Sequence, residues 1–326
     1  MPDVVLNAIF ANVDFRSILT LRKVSHGFRT FIDDVRPMSP VTNFFVSVHP
    51  DLVSFDLFFR TEYTSFNGKQ CFSIKYRKSG KSGCIVQWQS RKKMEERILK
   101  KTDFLEVAMQ DFEILVNHQW KSVLEMFRLE FENQENIPTE YVLKEIGRIL
   151  KARKTLLQVQ DFCIGLSNRG NQIERILKLI DAKTIQKIRI IGKGNEMDQL
   201  DIQKVLELKQ FKNAKELKIW KFDLSTPIEE LVDFSKVEVF IETVSVKSLL
   251  SLKEKFLHSK SLEMFSIKYN RIDSMSMLEE KLGKRSIEQC ENVWHFPYPN
   301  SSDFVLSIKI ISSSQITLER LLGTVG

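Results

Sequence analysis

The sequence predicts an α/β protein made of a small three-helix module, a set of strand hairpins and a solenoid of strand–helix repeats. Three observations support this prediction. Apolar residues follow a helical period in the first 36 residues, short aromatic and β-branched runs occupy residues 41–90, and strand–helix units recur after residue 92. We therefore place domain boundaries at 1–36, 37–90 and 91–326, and expect the middle part to pack on the repeats.

Composition places the chain among ordinary folded proteins. Its 326 residues are 43% hydrophobic and 28% charged, and glycine (12) and proline (8) are scarce, so we expect a large core and little linker. The sequence contains no apolar run long enough to cross a membrane, no secretory leader and no closely spaced cysteine pair. These features predict a protein of the cytoplasm, the nucleus or both, with no membrane partner.

The first 36 residues predict three short helices. The first carries its apolar stripe at Val5, Leu6, Ile9, Phe10 and Val13. Asp14 is suited to cap the N-terminus of the second helix and Ser25 that of the third. A module this small cannot bury its apolar surface alone. It must therefore pack on the rest of the chain or on another protein.

These residues resemble an F-box in register from end to end. The matching positions are Pro2, Leu6, Ile9, Phe10, Asp14, Leu19, Leu21, Val24 and Arg29. Three departures stand out: Met1 replaces the usual leucine, Phe28 replaces the usual tryptophan, and Arg22 with Lys23 places charge where many F-boxes are apolar.

The F-box resemblance implies that the module docks on a Skp-family adaptor, which in turn holds a cullin-based ubiquitin ligase. It implies that the apolar contacts to this adaptor come from Pro2, Leu6, Ile9, Leu19, Val24 and Phe28. Exposed apolar surface on a small module agrees with an interface. The alternative, which the sequence leaves open, is that these helices only cap the downstream domain.

Residues 41–90 predict four short strands rich in aromatic and β-branched residues, at 44–48, 55–59, 72–76 and 84–88. Turn-rich stretches separate them, for example around Asn67 and Gly68. We interpret this part as strand hairpins.

Beyond residue 92 the chain alternates helices with short apolar-x-apolar strands. Helices are predicted at about 92–116, 138–152, 170–180, 198–209, 227–233 and 245–258. The strands begin at Phe127, Leu157, Ile188, Leu217, Val237 and Phe265, with Leu306 as a candidate seventh. A strand–helix unit of roughly 20–30 residues is typical of a leucine-rich-repeat-like solenoid. Because the spacing is irregular, an ordinary α/β sheet domain remains the competing interpretation.

In a solenoid, the residue between two buried strand positions points to the open face of the sheet. This geometry predicts Arg189, Lys218, Glu238 and Ser266 as target-binding residues. The alternative is that these side chains only keep the surface soluble.

The whole chain resembles the nematode F-box proteins that carry an FTH (feminisation-of-germline homology) domain. The likeness includes the ending, where Val293-Trp294-His295-Phe296-Pro297 precedes a final strand at 304–309. It implies a substrate receptor whose repeats bind a target protein. It also implies an alternative, a non-degradative adaptor that binds a regulatory protein, for instance an RNA-binding one, in germline or translational control.

Motifs for catalysis, cofactors or metals find no support in this sequence, so we predict a non-enzymatic protein without cofactors. Gly80-Lys81-Ser82 lacks the first glycine of a phosphate-binding loop, because Lys75 stands at that position. The five histidines are isolated in the sequence, so neither a zinc site nor His-based catalysis has support from residue spacing. The four tryptophans lie within apolar strands or helices, and we interpret them as packing residues.

The formal charge of +7 is concentrated in residues 140–193, which hold 12 Lys/Arg against 5 Asp/Glu. Such a segment suits an acidic partner or nucleic-acid phosphates. We favour a solvated basic helix face, and direct nucleic-acid binding is not expected.

Overall fold

The computed structural model describes residues 5, 15–35, 41–60, 69–80, 82–90, 93–119, 122–132, 138–166, 170–194, 197–283, 286–288, 291–299, 301–311 and 314–322. Within these residues the protein is a mixed α/β structure, as predicted. It divides into two compact units. The first holds Met1–Asp161 and Arg175–Thr184, and the second holds Phe162–Glu174 and Ile185–Gly326.

The first unit begins with a helical hairpin of α1 (Phe15–Val24) and α2 (His26–Val35). Ser25 caps α2 as predicted, because its Oγ accepts a hydrogen bond of 3.1 Å from the backbone N–H of Phe28. The predicted first helix lies outside the described residues, apart from Val5, which is helical. The predicted cap at Asp14 also lies outside them.

Five antiparallel strands follow in chain order. They are β1 (Val41–His49), β2 (Leu52–Arg60), β3 (Lys69–Lys78), β4 (Gly83–Ser90) and β5 (Lys93–Lys100). The four strands predicted for residues 41–90 are confirmed as parts of β1 to β4. A sixth strand, β6 (Leu124–Phe131), pairs in parallel with β1.

The helix predicted from residue 92 is wrong at its start. Residues 93–100 form β5 and pair with β4 over their whole length. The helix α3 (Phe104–Asn117) begins only after Asp103, whose carboxylate accepts hydrogen bonds from the backbone N–H groups of Leu105 and Glu106. Ladder hydrogen bonds to β4 decide the local conformation here, because the charged segment has no strong apolar period of its own.

The core of the first unit is aromatic. Helix α3 packs against β2, β3 and β4, and α4 (Thr139–Ala152) packs against α3. The rings of Phe44, Phe55, Phe112 and Phe127 are fully or almost fully buried between the sheet and α3. Their centroids lie 5.6–6.4 Å apart in the contacts of Phe112 with Phe44 and Phe127, which is the normal range for tilted aromatic pairs.

Tyr76 adds a partly buried polar contact at the edge of this core. Its hydroxyl donates a hydrogen bond of 2.7 Å to Oδ2 of Asp111. Burial, and then the negative charge of Asp111, raise the pKa of Tyr76 well above its ordinary value of 10.0. The unfolded chain therefore loses this proton first, and stability that is present below about pH 10 falls as the pH rises further.

Tyr76→Phe is expected to lower the free energy of unfolding near neutral pH by about 1–3 kcal/mol, because it removes a partly buried hydrogen bond to a charged group. The variant should also lose less stability than the unaltered chain above about pH 10, since phenylalanine has no proton to lose. Urea unfolding at neutral and alkaline pH measures both effects. Tyr141→Phe, at an exposed tyrosine, serves as the control for the loss of stability near neutral pH. Parallel loss of stability in Tyr76→Phe and the unaltered chain at alkaline pH would contradict the linkage.

Two elements have their residues divided between the two units. Strand β7 (Val159–Leu166) begins in the first unit and ends in the second, and α5 (Gly170–Leu177) does the reverse. Leu157, predicted to start this strand, lies before it and forms an isolated parallel bridge to Ile180.

The second unit contains four strands that pair in parallel: β8 (Lys187–Gly192), β10 (Glu216–Trp220), β12 (Lys236–Val244) and β13 (Met264–Ile272). The strands predicted at Ile188, Leu217, Val237 and Phe265 are thereby confirmed. Two short strands, β9 (Asp198–Leu200) and β11 (Phe222–Leu224), form a separate parallel pair.

The helices of the second unit are shorter than predicted in two places. The stretch predicted as one helix at 198–209 contains β9, α6 (Gln203–Leu206) and the start of α7 (Lys209–Asn213). The stretch at 227–233 holds a single 3₁₀ turn, Ile228–Glu230. The last two helices are α8 (Val246–His258) and α9 (Met275–Leu282).

The C-terminal strands are antiparallel. They are β14 (Ser286–Glu288), β15 (Glu291–Tyr298), β16 (Ser301–Ile311) and β17 (Gln315–Leu322), and β17 pairs with β13. Leu306 lies in β16, between two antiparallel neighbours, so the prediction of a seventh parallel repeat strand is wrong. Short connections to β15 and β17 force this direction, because a parallel pair needs a longer crossover.

Candidate protein-binding surfaces

The α1–α2 hairpin has a small apolar core of its own. Ile18 and Ile32 are buried against each other's helix, and the partly buried side chains of Leu21, Phe28 and Phe31 surround them. A residue used for this internal core is less available for a partner. Phe28, predicted as an adaptor contact, therefore has a structural role as well.

A charged pair also links the two helices. Arg22 donates two hydrogen bonds to the carboxylate of Asp33, from Nε to Oδ1 at 2.7 Å and from Nη2 to Oδ2 at 2.9 Å. This two-point geometry is the strong form of an arginine–carboxylate pair. The charge at Arg22, which departs from the F-box pattern, is thus neutralised inside the hairpin.

The six predicted adaptor contacts fall into four groups. Pro2, Leu6 and Ile9 lie outside the described residues, and Leu19 lies within α1. Phe28 is half-buried in the hairpin core. Val24, at the last position of α1, is 65% exposed, which leaves its side chain accessible to a partner.

The four predicted target-binding residues lie side by side in one cross-strand row of the second unit. Arg189 of β8 is in register with Lys218 of β10, Lys218 with Glu238 of β12, and Glu238 with Ser266 of β13. Buried strand residues alternate with them on the opposite face. We call the face that carries this row the open face.

Cross-strand ion pairs hold the open face together. Lys218 Nζ lies 2.5 Å from a carboxylate oxygen of Glu238, and in the next row Lys187 Nζ lies 2.5 Å from Glu216. The hydrogen bond from Lys187 lowers the pKa of Glu216 below its ordinary value of 4.5. The open face therefore presents both positive and negative side chains.

Ser266 differs from the other three predicted target-binding residues. It is 7% exposed, and its Oγ accepts a hydrogen bond of 3.0 Å from Nε2 of Gln315 on β17. Its hydroxyl is thus already engaged within the sheet. Arg189, Lys218 and Glu238 are half-buried and keep part of their surface accessible.

Trp220 is an exposed residue of the open face that the sequence pattern did not predict. It was interpreted as a packing residue, but its side chain is 46% exposed, and that interpretation is wrong. Since Leu217 and Ile219 are buried, the alternation of the strand puts Trp220 on the same face as Lys218. The same alternation, extended one residue beyond the predicted strand, would have found it.

The backbone at the end of β10 is closely packed, which fixes the position of Trp220. A Cβ atom on Gly192 of the neighbouring strand would lie 2.1 Å from the carbonyl oxygen of Lys221, so only glycine fits there. Lys221 itself has a φ of 58°, and this left-handed residue turns the chain from β10 into β11.

The basic segment at 140–193 is partly neutralised by local carboxylates. Arg148 pairs with Glu145 at 2.8 Å, and Arg175 pairs with Glu140 at 2.9 Å. These pairs agree with the favoured interpretation of a solvated charged surface.

Among the described residues, no group of three or more His, Cys, Asp or Glu side chains is arranged to hold a metal ion. In the same part of the chain, none of the helices has the length and apolar character needed to span a bilayer.

Comparisons with known proteins identify two domains in the chain. The F-box family model matches residues 1–39, and the FTH domain model matches residues 140–280. The chain is similar to F-box A protein 224 of Caenorhabditis elegans, with 24% identity over 201 residues that cover 60% of this chain and 50% of that protein. The chain thus spans about half the length of that relative.

A solved structure of a Bacteroides fragilis protein is also similar. It is 9% identical, with 70% of this chain and 93% of that chain covered and a TM-score of 0.28. This likeness is too low to support any conclusion about the fold.

An F-box followed by an FTH domain is typical of non-enzymatic adaptor proteins. F-box domains generally bind a Skp adaptor within ubiquitin-ligase complexes. The two domain matches and the similarity to a nematode F-box protein confirm the predicted resemblance to nematode F-box proteins with an FTH domain.

Proposed function

We propose that this protein is a substrate receptor of an SCF-type (Skp–cullin–F-box) ubiquitin ligase. The F-box binds the Skp-family adaptor, and the open face of the second unit binds a target protein. Its contribution to ubiquitin transfer is proximity, because it holds the target near a ubiquitin-charged enzyme bound elsewhere in the assembly. We place this activity in the cytoplasm or the nucleus.

The observation that carries the proposal is the exposed Val24 at the end of α1, within the residues that the F-box model matches. Val24 belongs to a helical hairpin that the Arg22–Asp33 ion pair stabilises, and its exposed side chain is suited to an apolar contact with a partner. The parallel strands β8, β10, β12 and β13 support the second half of the proposal. We propose that they are leucine-rich-repeat-like units, whose open face offers adjacent side chains to one partner.

Val24→Glu tests the adaptor half of the proposal. We expect binding of the full chain to a purified Skp-family adaptor to weaken by on the order of 30-fold or more, because the charge would be desolvated in an apolar contact. Isothermal titration calorimetry gives the affinity. Since Val24 is exposed, the fold should be unchanged, which circular dichroism checks.

Asp34→Ala is the matched control, at an exposed position on α2. It should bind the adaptor like the unaltered chain. The double variant Leu6→Ala, Ile9→Ala extends the test to the predicted first helix and should also lose binding. Unchanged affinity in both Val24→Glu and the double variant would refute the adaptor-docking role.

The alternative is an adaptor that holds a regulatory protein, for instance an RNA-binding one in germline control, without directing its degradation. Phe28 favours this alternative. It replaces the usual tryptophan, and part of its side chain packs in the hairpin core, so less of it is left to contact the Skp-family adaptor. The half-life of the bound protein separates the two. A substrate receptor shortens that half-life in an adaptor-dependent manner, whereas a scaffold leaves it unchanged.

A further inference from the structure

Trp220 stands out as a large apolar side chain on a polar sheet face. Its indole is 46% exposed, while the two apolar residues before it in β10, Leu217 and Ile219, are buried on the other face. Tryptophan is enriched among the residues that dominate binding energy at protein interfaces.

Two lysines flank this indole. Nζ of Lys218 lies 5.3 Å from the centroid of the Trp220 ring, and Nζ of Lys268 on β13 lies 5.2 Å from it. Both distances are within the range of cation–π attraction. Lys218 is also paired with Glu238. Lys268 makes no ion pair with any residue that the structure describes, so its charge is available to an incoming anion.

The surface between these side chains forms only a shallow recess. A recess of about 20 Å³, lined by Lys218, Trp220, Glu238, Phe240, Ser266 and Lys268 among others, has room for about one water molecule. Small-molecule sites need several hundred cubic ångströms. The recess therefore suits part of one side chain from a larger partner.

We infer that the surface formed by Lys218, Trp220, Glu238 and Lys268 binds an acidic segment of a protein, in which Asp or Glu residues flank an aromatic or aliphatic side chain. The apolar side chain covers the indole of Trp220, and a carboxylate pairs with Lys268. This inference rests on the proposed function, because it names the chemistry of the target that the open face takes.

The signs of the charges favour a peptide over a nucleic acid. Glu216 and Glu238 lie among the basic residues of the open face and are paired with Lys187 and Lys218. A nucleic-acid backbone, with a closely spaced line of negative charges, would meet these carboxylates along its path. A peptide can place its acidic residues against Lys268 and avoid Glu238.

The test uses the full chain and a short fluorescein-labelled peptide in which a central phenylalanine is flanked by glutamate and aspartate. A second peptide carries lysine in place of every acidic residue. We expect the acidic peptide to bind at least about tenfold more tightly by fluorescence anisotropy, and its affinity to fall as salt rises. Trp220→Ala and Lys268→Glu should each weaken it by about tenfold or more.

Two exposed positions on the helices of the same unit give matched controls. Met277→Ala removes an exposed apolar side chain from α9, and Lys247→Glu reverses an exposed charge on α8. Both should bind the acidic peptide like the unaltered chain. Equal binding of the two peptides, unchanged affinity in Trp220→Ala, or tighter binding of a single-stranded RNA than of the acidic peptide would overturn the inference.

Adaptor binding separates this inference from the proposed function. Trp220→Ala should keep full affinity for the Skp-family adaptor, and Val24→Glu should keep full affinity for the acidic peptide. If the adaptor binds and the acidic peptide does not, the target chemistry is wrong and the receptor role stands. If the peptide binds and the adaptor does not, the receptor role fails while the peptide surface remains.

Discussion

Phe112→Ala is expected to lower the free energy of unfolding by about 3–5 kcal/mol, among the largest effects of any single substitution in this protein. Phe112 lies on α3 and is fully buried. Its ring centroid lies 5.6 Å from that of Phe44, 6.1 Å from Phe55 and 6.4 Å from Phe127. Removing it leaves a cavity that three rigid rings on three strands cannot close.

A graded series distinguishes this cavity effect from a general loss of helix stability. Phe112→Leu, which keeps most of the volume, should cost only about 1–1.5 kcal/mol. Met94→Ala on β5 is the control, because this side chain is largely exposed and its loss should change stability by less than about 0.5 kcal/mol. Urea unfolding of the full chain measures all three. A loss below about 1 kcal/mol for Phe112→Ala would contradict the central position of this ring.

Trp294→Ala is expected to have an effect of similar size in the second unit, about 3–5 kcal/mol. The indole is buried within β15, and its Nε1 donates a hydrogen bond of 3.0 Å to the carbonyl oxygen of Gly283. Gly283 ends α9 with a φ of 84°. Trp294 thus fills space and satisfies a carbonyl just beyond a helix end.

The two roles of Trp294 can be measured separately. Trp294→Phe keeps much of the apolar volume but removes the N–H donor, so it should cost about 1–3 kcal/mol, less than the alanine variant. Leu322→Ala, at a largely exposed position of β17, is the control. Amide hydrogen exchange should show faster exchange in α9 and β15 for both Trp294 variants. Equal destabilisation by Phe and Ala would mean that the hydrogen bond, and not the volume, dominates.

Local patterns were sufficient wherever one signal decided the outcome. The strands at Leu217, Val237 and Phe265 were predicted because buried residues alternate along them, and the same alternation placed Lys218 and Glu238 on one face. The cap at Ser25 was predicted because a short hydroxyl side chain before a helix has a defined hydrogen-bonding role. Each of these inferences needs only neighbouring residues.

The errors occurred where distant residues decide the conformation. Residues 93–100 form a strand because β4 lies beside them, and nothing in their own order of charged residues requires it. Leu306 resembles a repeat strand in sequence, yet its partners in β15 and β17 make its strand antiparallel. Ser266 occupies the predicted row but is covered by Gln315, which is 49 residues away.

The sequence by itself determined the mixed α/β class and the faces of the repeat strands, because strand alternation is local and periodic. Its resemblance to F-box proteins with an FTH domain agrees with the two family-model matches. The tertiary structure alone decided which side chains remain accessible. Trp220 and Ser266 both lie on the open face, but one is exposed beside Lys268 and the other is buried against β17. The strand alternation places a side chain on the open face, but whether it stays exposed there depends on what packs over it from elsewhere in the chain.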